Sequence, residues 1–283
     1  MEMLMKILIP VGVFAALGLL LGLMLALASR VFAVKVDERE TKIAECLPGA
    51  NCGGCGYSGC AQLAAAIVAG EAKPGACTVC DADALRAIGE VMGIEVEVPV
   101  RMRAQVMCSG TKNYAKAKYI YAGAQDCIAA AAMGGGDKLC PNGCIGLGTC
   151  VAHCPFNAIS VVEGVAVVDY RKCAGCGVCV AACPKHLIKL IPYDSAHWVG
   201  CMSVDKGSAL RGYCDVGCIA CKLCEKVCES GAIKVDGFIA SIDYSKCTDC
   251  GKCVDKCPRK IIWSARRQGK GLIIEREKPA TEE

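Results

Sequence analysis

The sequence predicts an α+β protein: one apolar N-terminal helix, a small helical domain, and two tandem copies of a small α+β module. Three observations carry that expectation. Residues Ile7 to Ser29 form an uncharged apolar run between Lys6 and Arg30. Nine cysteines recur without a gap at an offset of 74 residues. Finally, 26 of the 283 residues are Cys while only 5% are aromatic, so the cysteine-rich part lacks the side chains of a large conventional core and needs staples.

The apolar run is long enough to cross a bilayer as a helix. Ala26 and Ala28 make an Ala-x-Ala pattern of the kind a signal peptidase cleaves, but the basic leader is weak and the run long, so a retained anchor over 1–34 is expected. Arg30, Lys35, Arg39 and Lys42 follow the run and only Lys6 precedes it, which places the remainder on the cytoplasmic side of the cell membrane. Thiols stay reduced there, so the cysteines read as metal ligands rather than a disulfide framework. Gly18-x-x-x-Gly22 offers a close-packing face for a partner helix.

The repeat pairs Cys127, Cys140, Cys144, Cys150, Cys154, Cys173, Cys176, Cys179 and Cys183 with Cys201, Cys214, Cys218, Cys224, Cys228, Cys247, Cys250, Cys253 and Cys257. Val168-Asp169-Tyr170 matches Ile242-Asp243-Tyr244, and Pro184 matches Pro258. The later half of each copy, CAGCGVCVAACP at 173–184 and CTDCGKCVDKCP at 247–258, reads C-x2-C-x2-C-x3-C-P. Bacterial ferredoxins use this run: three thiolates wrap one 4Fe–4S cluster and the fourth reaches a second. Zinc pairs stand a dozen or more residues apart, so the spacing disfavours zinc.

The earlier half of the second copy, CIACKLCEKVC at 218–228, keeps the spacing with Glu229 in place of Pro. The first copy has Leu147 where the second has Cys221, and Cys140 is the nearest substitute. Four ligand sets are therefore expected: Cys140, Cys144, Cys150 and Cys183; Cys154, Cys173, Cys176 and Cys179; Cys218, Cys221, Cys224 and Cys257; Cys228, Cys247, Cys250 and Cys253. Short apolar runs at 158–162 and 165–168, and their copies at 232–235 and 238–242, read as hairpins.

Between anchor and repeats, LPGANCGGCGYSGC at 47–60 followed by Cys77 gives C-x2-C-x4-C-x16-C. Cys52, Cys55, Cys60 and Cys77 form a fifth expected set, its glycines letting the backbone turn closely round a cluster. Helices are expected over 61–69 and 81–93, the second between Asp81 and Gly93. The domain borders follow: helical iron–sulfur domain 35–100, linker 101–126, ferredoxin-like modules 127–194 and 195–268, polar tail 269–283. Arg101, Arg103, Lys112, Lys116 and Lys118 make the linker basic, and it reads as a solvated or packing segment. Cys46, Cys80, Cys108, Cys127, Cys201 and Cys214 fall outside the five sets and are expected to be buried thiols, with Cys214 alternatively competing with Cys221 for its site. The formal charge of +4 counts thiols as neutral. Five sites at about −2 each would bring it to roughly −6, so nucleic acid is not an expected partner.

The apolar span, LPGANCGGCGYSGC with Cys77, and the stretch from Cys127 through CPNGCIGLGTCVAHCPFNAI together resemble the B subunit of Rnf complexes, over nearly the whole chain. The first cysteine cluster is the characteristic part, whereas ferredoxin runs occur in many proteins. The second ferredoxin module resembles the anaerobic versions of that family. The resemblance implies an iron–sulfur electron-transfer component of a membrane translocase that oxidises ferredoxin, reduces NAD and moves sodium or protons. Its partners would be other membrane subunits, flavin subunits, soluble ferredoxin as donor, and lipid. No G-x-G-x-x-G after a strand and no Walker motif is present, so neither a nucleotide site nor a catalytic residue is expected on this chain. The alternatives are a membrane-anchored polyferredoxin of another dehydrogenase and a zinc-rich binding module. Arg259, Lys260, Arg266, Arg267 and Lys270 make a basic patch suited to steering an acidic carrier onto the second module.

Overall fold

The computed structural model describes residues 2–31 and 37–265. Its first element, α1 (Glu2–Val31), contains a stretch, Val11–Arg30, with none of its surface buried by the rest of the chain. Leu19, Leu20, Leu23 and Leu25 all face outward. A helix that is apolar all round and about 45 Å long at 1.5 Å per residue suits hydrocarbon better than water.

The helical domain follows as α2 (Glu38–Cys46), α3 (Cys60–Val68), a short 3-10 turn (Pro74–Ala76) and α4 (Ala82–Met92). Caps fix the ends: Asp37 accepts from the Arg39 N–H at 2.9 Å, Asp81 from the Ala84 N–H at 2.8 Å, and Gly93 closes α4 with φ 67°. The apolar faces of the three helices meet in one core of Ile43, Leu63, Ile67 and Ile88. Each such side chain stabilises the domain by about 2 kcal/mol through burial.

Module one consists of β1 (Met102–Val106), α5 (Cys127–Ala132), α6 (Thr149–Ala152), β2 (Ile159–Val162), β3 (Val165–Val168), α7 (Val178–Ala182) and β4 (Ile188–Pro192). Module two consists of β5 (His197–Val199), α8 (Gly207–Arg211), α9 (Leu223–Lys226), β6 (Ile233–Asp236), β7 (Ile239–Ile242), α10 (Lys252–Lys256) and β8 (Ile262–Ser264). Both expected hairpins form, β2 with β3 and β6 with β7. Their two-residue turns, Glu163-Gly164 and Gly237-Phe238, have positive φ at both positions, the twist that suits antiparallel strands.

Part of the stretch expected as a solvated or packing linker forms a strand and packs. β1 pairs antiparallel with β4, matching Val106 to Ile188, and β5 pairs with β8, matching Val199 to Ile262. The Met107 N–H donates to the Leu187 carbonyl and the Gly200 N–H to the Ile261 carbonyl, both at 2.8 Å. β1 and β5 are thus equivalent closing strands, although they stand 93 rather than 74 residues apart. Arg103 is buried, donating to the Tyr193 and Ser195 carbonyls beneath the Trp198 ring. Beyond β1 the chain crosses to module two. The Trp263 indole N–H donates to Ser109 Oγ at 2.8 Å, and the Lys116 N–H to the Tyr213 carbonyl at 2.9 Å.

The helical domain docks on module one where Gly54 lies on the backbone of Cys176, so close that a Cβ would overlap the carbonyl oxygen. Gly54→Ala is expected to cost about 1–3 kcal/mol of that docking through overpacking. Faster proteolysis between the two units, at unchanged iron content of the modules, would register it; an unaltered cleavage rate would show that the contact does not hold them together.

Candidate iron–sulfur sites

In each module two loops carry the cysteine runs, and each run ends in a helix that starts one residue before its third cysteine: α6 at Cys150, α7 at Cys179, α9 at Cys224 and α10 at Cys253. The third thiol therefore sits in the first helical turn, and the fourth is carried beyond the helix, away from the first three.

Four cavities each bring together four cysteines of the expected regions. Cys52, Cys55, Cys60 and Cys77 line the first, where Asn51 holds the loop by accepting from the Cys60 N–H at 2.8 Å. Cys154, Cys173, Cys176 and Cys179 line the second. Cys218, Cys221, Cys224 and Cys257 line the third. The fourth holds Cys144, Cys150 and Cys183 together with Cys127 rather than Cys140. Cys228, Cys247, Cys250 and Cys253 are also mutual neighbours: burial first, then Cys247 and Cys250, push the Cys253 thiol up to about 11.

Cys127, expected as a structural thiol, thus stands beside Cys144, Cys150 and Cys183 at the place where Cys140 was expected. Asp126 caps α5, and Thr149 Oγ1, which donates to Asp126 at 2.6 Å, accepts from the Cys127 N–H at 2.7 Å. These bonds tie Cys127 to the loop that lacks a cysteine at Leu147. The positions 74 residues on are Gly200 and Leu223, so the tether exists only in the module that needs it. That asymmetry was the available signal. Cys140 turns to a different cavity, shared with module two.

The sulfurs also receive backbone donors. The Ala104 N–H points to Cys173 Sγ and the Ala158 N–H to Cys154 Sγ, both at 3.3 Å. Such bonds suit thiolates bound to a cluster. In four of the sets the thiols stand round a cavity, an arrangement that suits a multinuclear cluster. Cys80 lies off the first cavity and donates its S–H to Cys77, holding the Cys77 thiol well below its ordinary value. Cys46 packs against the domain core. Elsewhere burial pushes thiols up, to about 12 at Cys144, Cys150, Cys179 and Cys224, with neighbouring thiols adding to it.

Comparisons with known proteins agree with this chemistry. An Fe-S cluster family model matches residues 47–79, and two 4Fe-4S dicluster domain models match 137–184 and 217–261. The chain is 46% identical to the B subunit of the Na(+)-translocating ferredoxin:NAD(+) oxidoreductase complex of Acetobacterium woodii, over 96% of this chain and 83% of that protein. It is 43% identical to the B subunit of the ion-translocating oxidoreductase complex of Methanosarcina acetivorans, over 89% of this chain and 96% of the relative. To the B subunit of the proton-translocating ferredoxin:NAD(+) oxidoreductase complex of Clostridium ljungdahlii it is 38% identical, over 88% and 89%.

A thiol held near 12 is protonated at neutral pH, so each thiolate that binds iron must first release a proton, and acid favours the empty site. Iron retained against a chelator should therefore fall as pH is lowered from about 8 to about 6. Visible absorbance reports the loss; retention independent of pH would contradict the thiol-ligand reading.

Proposed function

Since the chain belongs to the B-subunit family of ion-translocating oxidoreductase complexes, we propose that it passes electrons from reduced ferredoxin through 4Fe–4S clusters towards flavin subunits and NAD, in a membrane complex that couples the transfer to ion movement. The observation that carries this reading is the set of separate four-cysteine sites along one chain. The ligands are Cys52, Cys55, Cys60 and Cys77 in the helical domain. In module one they are Cys127, Cys144, Cys150 and Cys183, then Cys154, Cys173, Cys176 and Cys179. In module two they are Cys218, Cys221, Cys224 and Cys257, then Cys228, Cys247, Cys250 and Cys253. Bound clusters supply one-electron transfer. The protein holds their thiolates, directs N–H groups at the sulfurs and keeps water out, which together set the reduction potentials.

The order of the sites follows from contacts between the domains. The thiols of Cys52 and Cys176 are close enough to interact, so the helical-domain site adjoins the Cys176 site of module one. The helical domain follows the anchor directly and faces the membrane subunits, and Arg30, Arg39 and Lys42 keep it on the cytoplasmic side. Module two, farthest along the chain, receives the soluble ferredoxin. Arg259 donates to the Cys214 and Gly217 carbonyls, and Lys260 beside it is exposed. Arg266, Arg267 and Lys270 lie outside the described residues.

Purified from its native membrane, the chain should bring flavin-carrying subunits with it and support NAD reduction by reduced ferredoxin; co-purification with an unrelated dehydrogenase would replace this reading. Within the chain, Thr149→Val should free Cys127 and empty its site, removing about four irons of a cluster. Adding Leu147→Cys to that variant should restore them by giving module one the loop ligand that module two has. If the single variant keeps all its iron, Cys127 is not the ligand.

A further inference from the structure

One more cavity lies between the two modules, and the five sets above leave its cysteines unused. Cys108, Cys140, Cys201 and Cys214 line it, together with Gly110 and Lys138. We propose that these four thiolates hold a sixth 4Fe–4S cluster, which joins module one to module two; the inference rests on the reading that the other five sets hold clusters.

The first argument is the equivalence of the four positions. Cys108 stands two residues beyond the end of β1 and Cys201 two residues beyond the end of β5, after the matched 2.8 Å hydrogen bonds of Met107 and Gly200. Cys140 and Cys214 each stand four residues before the first cysteine of a ferredoxin loop, Cys144 or Cys218. Each module thus contributes the same two positions. The repeat in the sequence hides this by aligning Cys201 with Cys127, the cysteine diverted to replace the loop ligand missing at Leu147.

The second argument is the surroundings of the sulfurs. Cys108 Sγ accepts from the Cys144 N–H at 3.4 Å and Cys201 Sγ from the Ser203 N–H at 3.5 Å, the donor type found at Cys154 and Cys173. The Cys108 and Cys214 sulfurs both lie 3.7 Å from the point where a Cβ on residue 110 would begin. Glycine there keeps the space between them open. Burial pushes the Cys140 thiol up to about 11 and the Cys201 thiol to about 12.

Charge gives the third argument. Lys138 is only 6% exposed, and its ammonium donates to the Gly110 and Gly164 carbonyls at 2.7 and 2.8 Å. No carboxylate among the described residues pairs with it. A buried ammonium calls for a counter-charge. Four thiolates round an oxidised core of charge +2 leave about −2. Each S–Fe bond would form as the S–H proton passes to solvent, with the core arriving preassembled and its oxidation state unchanged.

The location makes the site a junction. Cys108 accepts the N–H of Cys144, a ligand of module one, and Cys201 that of Cys218, a ligand of module two. The cavity adjoins one ferredoxin site on each side.

Iron and acid-labile sulfide per anaerobically purified chain decide the matter: about 24 of each for six clusters, about 20 for five. Cys108→Ser and Cys201→Ser should each lower the count by about four irons, and the double variant by the same four, because one cluster is lost in every case. A wild-type count near 20 with unchanged variants would reduce these cysteines to structural thiols and leave the other five sites standing. A count well below 20, or zinc in place of iron, would instead overturn the underlying five-site reading. The wild-type count decides even where a variant fails to fold.

Discussion

A loop that wraps thiols round one cavity has to reverse its backbone within a few residues, and here the reversal is made the same way four times. The residues before and after the second cysteine position have positive φ in every ferredoxin loop: Gly146 and Gly148, Gly175 and Gly177, Ala220 and Lys222, Asp249 and Gly251. Glycine adopts that conformation freely, whereas Ala220, Lys222 and Asp249 do so at roughly 1 kcal/mol or more each. The geometry persists even where Leu147 has replaced the cysteine. The loop shape is therefore a property of the fold, and the ligand is a separate choice made on it. Helix start, third thiol and outward path of the fourth all follow from those paired left-handed residues.

Cysteines also belong to the hydrophobic cores. Cys150, Cys173 and Cys179 pack with Val165 and Ile188 in module one, and Cys214, Cys218 and Cys224 with Leu210 and Ile262 in module two. A module with so few large side chains gains little from burial alone. Binding of iron to thiols that are themselves core residues makes cluster assembly and folding one process. The helical domain, with its own aliphatic core, depends on this less.

Much of this was legible because it is local. Asp81 and Gly93 bracket a helix, two-residue turns close the hairpins, and C-x2-C-x2-C spacing marks the loops; each signal sits within about a dozen residues of what it determines. What the sequence hid is non-local. β1 reads as a basic linker because its partner β4 is some eighty residues further on, and burial of Arg103 depends on the Tyr193 and Ser195 carbonyls and the Trp198 ring, at least as distant in the chain. Which of Cys127 and Cys140 stands beside Cys144 is hidden too, because both lie just outside the loop with Leu147 in the cysteine position. Only the Asp126–Thr149 tether separates them, and it is a contact across 23 residues.

The crossing segment after β1 bears on how the molecule unfolds. Ala115 bridges to Cys214, Tyr114 accepts from the Asp215 N–H, and Ser109 holds the Trp263 indole. Two modules that arose as copies now share one strand of connecting backbone, so neither can open without breaking bonds of the other. On that account a defect at one end of the second module is expected to be felt at the closing strand of the first.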